Sequence, residues 1–169
     1  MKSICLVTAL TVSDFIDPDL TAGANSNTGA QLGVLTLTAL LRRQGYDPCV
    51  VNLDDLFFEF VRLDTTRPSI NRDAGIAPLQ PSESFYSFVV RHLPSQSFDV
   101  VGLSSICSSY PLTLRLAQKI RRTNPQAKII LGGPQASVVD VATLNAFPCV
   151  DIVVRGEVAG AAAGRLPAR

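Results

Sequence analysis

Short apolar runs alternate with longer stretches of helical periodicity along most of the chain. Ile4, Leu6 and Val7 lie in the first run, and Ser3 to Leu10 reads as a strand. Cys49 to Leu53, Val100 to Leu103, Lys128 to Leu131 and Val150 to Val154 read as four more. Gly29 to Gln44 is predicted as a helix, capped by Asn27 or Thr28 and stopped by Gly45. Leu32, Leu35, Ala39 and Leu40 form one apolar face, and Val34, Leu37 and Leu41 another, which predicts burial on most sides. Leu56, Phe57, Phe58, Phe60 and Val61 predict a short apolar helix. Asp64 to Pro81, with Pro68, Gly75 and Pro78, predicts an irregular excursion. Ser82 to Leu93 reads as a helix capped by Ser82, ended by Pro94, with Phe85, Phe88, Val89 and His92 on one side. Tyr110 to Thr123 is the clearest amphipathic helix. Its Leu112, Leu116, Ala117 and Ile120 face inward, Arg115, Gln118, Lys119, Arg121 and Arg122 face water, and Asn124-Pro125 breaks it. Val138 to Phe147 reads as a short helix.

Strand and helix alternate throughout, which implies an α/β fold with a parallel sheet and helices on both faces. Five strands suit a doubly wound, flavodoxin-like (Rossmann-like) sheet of order 2-1-3-4-5, with a crevice between strands one and three. Residues 1–157 are expected to form this single domain. Residues 158–169, Val-Ala-Gly-Ala-Ala-Ala-Gly-Arg-Leu-Pro-Ala-Arg, carry no packing pattern and are expected to be a disordered tail or the product of a truncation. Parallel sheets bind ligands beyond the carboxyl ends of their strands. Strand three ends in Ser104, Ser105, Ile106, Cys107, Ser108 and Ser109, and strand four in Gly132, Gly133 and Pro134. The small side chains leave room for a large ligand against the backbone. Turns of this kind also use Ser and Gly without any ligand, so the shelf alone assigns nothing. The polar stretch Thr11 to Asn27 faces the same crevice; a loop of that length in a compact domain is usually functional.

Composition narrows the classes. The 169 residues are 47 % hydrophobic and 17 % charged, as in a globular domain with a sizeable core. The net charge of +1, the absence of Trp and the few aromatics argue against a nucleic acid or an anionic membrane as partner. Cys5, Cys49, Cys107 and Cys149 are too scattered for a zinc or iron–sulfur motif, and such thiols fit a reducing cytoplasm. The amino terminus lacks a full signal-peptide layout, and no apolar run reaches membrane-spanning length.

Motifs for nucleotide chemistry are missing. Neither GxxxxGK[ST] nor GxGxxG occurs. Ser26 to Gly29 resembles a flavodoxin phosphate loop but lies far from the end of strand one, which leaves FMN or nucleotide binding as an alternative only. A response-regulator receiver needs Asp and Lys near the places where Ser104 and Arg155 stand. Serines are available as nucleophiles, but no GxSxG elbow is present. The single histidine, His92, is remote from the edge loops and reads as structural.

Read together, Asp99 to Ser104, Tyr110-Pro111, Asn124-Pro125, Gly132 to Ala136 and Asp151 to Glu157 resemble the amino-terminal cobalamin-binding domain of B12-dependent radical SAM enzymes. Gly33 to Asn52 resembles that family's first helix and second strand. The likeness covers residues 1–157. It implies cobalamin held base-off, with its dimethylbenzimidazole tail threaded into the domain and the corrin across the loops after strands one, three and four. Ser104 matches the family's SxL serine, which bonds the tail, and Ile106 replaces the Leu. Gly132 and Gly133 match its GG pair, where close approach forbids a Cβ. The cofactor-binding set implied is Ser104, Ser105, Ile106, Ser108, Tyr110, Gly132, Gly133, Pro134, Gln135, Arg155, Gly156 and Glu157. Two departures stand out. The family's DxHxxG histidine, which ligates cobalt, has no counterpart after strand one, where Asp14, Asp17 and Asp19 stand; a His-off cobalt is implied. After Glu157 the expected radical SAM barrel with CxxxCxxC does not follow. The expectation is therefore a cobalamin-binding module with no catalytic or metal-ligating residue, partnered in larger relatives by a radical SAM domain. A degenerate α/β domain with a protein-interaction role is the competing expectation.

Overall fold

The computed structural model describes residues 2–11, 31–63, 83–93 and 98–156. Five parallel strands form one sheet in the order β2-β1-β3-β4-β5, the predicted flavodoxin-like arrangement. The strands are β1 (Ile4–Val7), β2 (Cys49–Val51), β3 (Val100–Ser104), β4 (Lys128–Gly132) and β5 (Ile152–Val153). The helices are α1 (Leu32–Arg43), α2 (Leu53–Leu63), α3 (Glu83–His92), α4 (Tyr110–Thr123), α5 (Pro134–Val138) and α6 (Asp140–Ala146).

Side chains alternate across the sheet. One face carries Cys5, Val7, Val51, Val101, Leu103, Ile129 and Leu131, all buried in the main core with residues of α2, α3 and α4. Phe57, Phe60, Phe85 and Phe88 join α2 to α3, with ring centroids 5.3–5.5 Å apart. The other face carries an in-register row: Val50, Leu6, Gly102, Ile130 and Ile152. The β1-to-β2 crossover runs against the β3-to-β4 direction, so right-handed connections place α1 on this second face.

Several boundaries differ from the sequence pattern. β1 stops at Val7, because Thr8 already turns its hydroxyl to Asn52 and Leu53. β2 stops at Val51, and Leu53 opens a longer α2. The expected helix Val138 to Phe147 is present as α6, and a further short helix, α5, precedes it; Pro134, with its preset φ, starts α5 directly after Gly133. Burial of α1 on most sides is not found: Thr38 is its one buried residue, while Leu32 is 74 % and Leu35 46 % exposed. Gln31, not Asn27 or Thr28, occupies its N-cap position. The Thr11–Asn27 loop beyond Thr11, the excursion over 64–81, the Ser82 cap and the tail 158–169 lie outside the described residues.

The amino-terminal edge of the sheet is tied by polar side chains. Asp99 accepts from the Ser3 N–H at 2.7 Å, and these bonds hold its carboxyl below the usual carboxylate range. Arg121 donates to Pro125, Ala127 and Cys149 carbonyls and to Asp151. At Asp151, burial pushes the carboxyl up, but the Ile129 N–H at 2.7 Å and Arg121 outweigh it and leave it lowered. Cys5 and Cys49 are register partners on neighbouring strands; burial, then Cys49, pushes the Cys5 thiol up to about 12. Among the described residues no helix is long and apolar enough to cross a membrane.

Candidate functional site

The carboxyl ends of β1, β3 and β4 meet at one edge. Ser104 and Gly132 are register partners there, the last residues of their strands. Ser104 is half-buried, and its hydroxyl makes no hydrogen bond among the described residues. A Cβ built on Gly132 meets nothing within 4 Å. The two positions thus present a free hydroxyl beside an open backbone.

Gly133 serves a different purpose. Its φ of 98° and ψ of 173° fall in a region that is essentially glycine's alone. A Cβ there would lie 2.4 Å from the Ser105 carbonyl oxygen and 2.8 Å from its nitrogen. Close approach is therefore between the exits of β3 and β4. Ser105 completes the joint: it is fully buried, its N–H donates to the Gly132 carbonyl at 2.9 Å and its hydroxyl to the same oxygen at 3.1 Å. Both donors of Ser105, an expected cofactor-binding residue, are thereby used within the fold.

The remaining expected residues divide in the same way. Ser108 is exposed and Ile106 half-buried on the turn leading to α4. Tyr110 bonds through its hydroxyl to Thr143, joining α4 to α6. Pro134 is exposed and Gln135 half-buried on α5. Arg155 pairs with Asp140 at 3.3 Å across an exposed surface, and the Gly156 N–H donates to the Ser137 hydroxyl at 3.0 Å. Glu157, like Asp14, Asp17 and Asp19, lies outside the described residues. His92 stacks on Phe88 with centroids 3.9 Å apart, and its Nδ1 lies 2.8 Å from the Phe88 carbonyl oxygen. It stands at the carboxyl end of α3, which leads into the start of β3, so it belongs to the opposite edge.

The sequence placed Ser109 in the shelf but not in the cofactor-binding set, and Gln31, Asp54 and Thr8 were not singled out at all. Ser109 occupies the N-cap position of α4 without making a cap bond, and its buried hydroxyl has no partner among the described residues. Leaving a buried hydroxyl unpaired costs about 1–3 kcal/mol, so the edge carries an unmet donor close to Ser104 in the chain. Among the described residues no group of three or more His, Cys, Asp or Glu could hold a metal ion. Among the described residues the exits of β3 and β4 carry no charge; the charged groups of this edge are the Arg155–Asp140 pair and Asp54. An open backbone with hydroxyls beside it offers room and hydrogen-bond partners to a large ligand.

The family model described as B12 binding domain matches residues 25–165. An uncharacterized methyltransferase from Pyrococcus horikoshii is 30 % identical over 59 residues, which are 35 % of this chain and 13 % of that protein. Among solved structures, a response regulator from Thermotoga maritima superposes with a TM-score of 0.45 at 12 % identity, over 92 % of this chain and 85 % of that one.

Proposed function

Because this chain belongs to the B12 binding domain family, we propose that it holds cobalamin base-off and His-off across the carboxyl edge of its sheet. Cobalamin is the cofactor that goes with this family, a cofactor-binding module. The observation that carries the finer reading is the Ser104–Gly132 pair: a free hydroxyl next to a backbone position with nothing within 4 Å of its Cβ direction. In this reading Gly132 leaves the passage for the nucleotide tail, and Ser104 donates a hydrogen bond to it. Ile106, Ser108, Pro134 and Gln135 line the approach, while Ser105, Gly133 and Tyr110 hold the walls. The His-off assignment is supported by the sequence, which has one histidine, and by the placement of that residue on α3.

Bound cobalamin supplies cobalt chemistry suited to carrying a methyl group. The polypeptide's part is to bind the tail, keep the benzimidazole away from cobalt and leave the upper corrin face open. In a larger protein a radical SAM domain would work on that face. The word methyltransferase in the name of the Pyrococcus relative is in keeping with this, although the matched segment spans 13 % of that protein.

Gel filtration with hydroxocobalamin tests the reading. Cofactor and protein should elute together with a base-off spectrum, and Gly132→Val should abolish this while leaving circular dichroism unchanged. Elution of free cofactor at tens of micromolar protein, on the order of a weak site's dissociation constant, would instead favour the protein-interaction reading.

A further inference from the structure

The exit of β1 is held by more side-chain bonds than the sheet itself requires. Gln31 grips Ala9 from both sides: its Oε1 accepts from the Ala9 N–H at 3.0 Å, and its Nε2 donates to the Ala9 carbonyl. Two residues on, Asp54 accepts from the Thr11 N–H at 2.7 Å through one oxygen and from the Thr11 hydroxyl through the other. Thr8 bonds to Asn52 at 3.3 Å and accepts from the Leu53 N–H at 2.9 Å. Asp54 is only 2 % exposed and makes no ion pair among the described residues. A carboxylate is costly to bury unless its oxygens are bonded, and among the described residues Thr11 supplies those bonds, beside the start of α2.

These bonds act on the crevice. Val7 pairs with Leu103, so the next residues outward along the two strands are Thr8 and Ser104. Ala9 and Thr11 then continue β1's exit past the shelf formed by Ser104 and Gly132. Ala9 is 1 % exposed and lies beyond β1, so Gln31 is what satisfies its two backbone groups. Gln31 also begins α1, and Asp54 lies in the first turn of α2. Two helix starts are thus joined to one strand exit.

We infer that Gln31 and Asp54 are positioning residues for the corrinoid, fixing Ala9 and Thr11 as the strand-one wall of the crevice opposite Ser104 and Gly132. The ligand in this inference rests on the proposed cobalamin reading; the clamp rests on geometry alone.

The test separates the two. Amide exchange in the ligand-free protein should show Ala9 protected in wild type and unprotected in Gln31→Leu. Hydroxocobalamin titration should then show Gln31→Leu about tenfold weaker, the effect of losing one to two hydrogen bonds. Gln31→Glu supplies a readout that a general loss of stability would not move. Ionised near pH 8, it cannot donate to the Ala9 carbonyl and should bind as weakly as Gln31→Leu. Near pH 5, close to the ordinary Glu value of about 4.3, a fraction of its carboxyl is protonated, donates again and should recover affinity in part relative to Gln31→Leu. Thr11→Val, which takes one bond from Asp54, should weaken binding about threefold. Affinities equal to wild type in all three variants, or no pH-dependent recovery in Gln31→Glu, overturn the inference. A wild-type protein that binds no cobalamin overturns the functional reading and the corrinoid role together, and the Ala9 exchange result then decides the clamp by itself.

Discussion

Gly132 and Gly133 are adjacent, yet the same substitution should have opposite consequences at the two positions. Gly133→Ala forces a side chain into φ 98°, ψ 173°, a region that costs about 1–3 kcal/mol for a residue other than glycine. Its Cβ would also meet the Ser105 carbonyl oxygen at 2.4 Å, a contact with backbone that no rotamer change relieves. Overpacking of that kind costs about 1–3 kcal/mol more. The sum, roughly 2–6 kcal/mol, is a large part of the 5–15 kcal/mol that holds a typical domain together. For a chain of this size it corresponds to a fall in Tm on the order of 10 °C. Gly132→Ala meets nothing within 4 Å and keeps an ordinary φ, so stability should stay within about 1 kcal/mol of wild type, on either side. Urea denaturation followed by circular dichroism measures both variants, and cobalamin titration adds the second axis: Gly132→Ala should lose affinity at near-native stability. Equal stabilities for the two variants would refute the assignment of Gly133 to the wall and Gly132 to the opening.

Ser104→Ala should weaken cobalamin binding by roughly 1 kcal/mol, or about fivefold, at unchanged Tm, as read by the same titration. His92→Ala should leave the cobalt spectrum of bound cobalamin unchanged, because the ring stacks on Phe88 at the other edge; a shifted cobalt band, or loss of nitrogen hyperfine coupling in the cob(II)alamin resonance, would contradict this. The lowered carboxyl of Asp151 makes stability acid-sensitive with a definite sign. Its contribution is present above the ordinary carboxylate value of about 3.9 and is lost as pH falls through the lower folded value. Asp151→Asn should lower Tm at neutral pH, by about 1–3 kcal/mol in stability for the charged hydrogen bonds lost, and should flatten the decline between about pH 5 and pH 2. A Tm profile parallel to wild type down to the acid end would show that the Arg121–Asp151 tie contributes nothing.

The sheet was legible because each strand is an apolar run bounded by a turn, and its order was reached because five alternating strands suit the flavodoxin-like arrangement. Ser104 and Gly132 were legible as small residues at strand ends. What the sequence could not separate was Gly132 from Gly133, because the difference lies in where Ser105 comes to rest. The burial of α1 was misread for a related reason: apolar residues on two faces say nothing of how many neighbours the second face receives, and Leu32 and Leu35 remain exposed. Gln31 and Asp54 bond residues 22 and 43 positions away, beyond any local pattern. A faint signal did exist: Asn52-Leu53-Asp54-Asp55 has the acidic first turn of a helix start directly after a strand.

The two edges of the sheet are built from different chemistry, and this lets binding change without unfolding the domain. Charged groups tie the amino-terminal edge: Asp99 to Ser3, Arg121 to three carbonyls and Asp151, Lys128 to Asp151 at 3.4 Å. Asn124 adds a bond to the Phe98 carbonyl at 2.9 Å. At the carboxyl edge the exits of β3 and β4 carry hydroxyls and glycines, with a buried Ser109 hydroxyl left unpaired. Charged hydrogen bonds to backbone are about twice as strong as neutral ones, so the end that faces away from the crevice is held firmly whatever happens at Ser104 and Gly132. Among the described residues the β1 exit is the buried exception, with Asp54 at the carboxyl edge, while the Arg155–Asp140 pair there lies at the surface. That exception is where a structural and a binding role meet in one residue, and it is the place where stability and affinity should fall together, whereas at Ser104 and Gly132 affinity should fall alone.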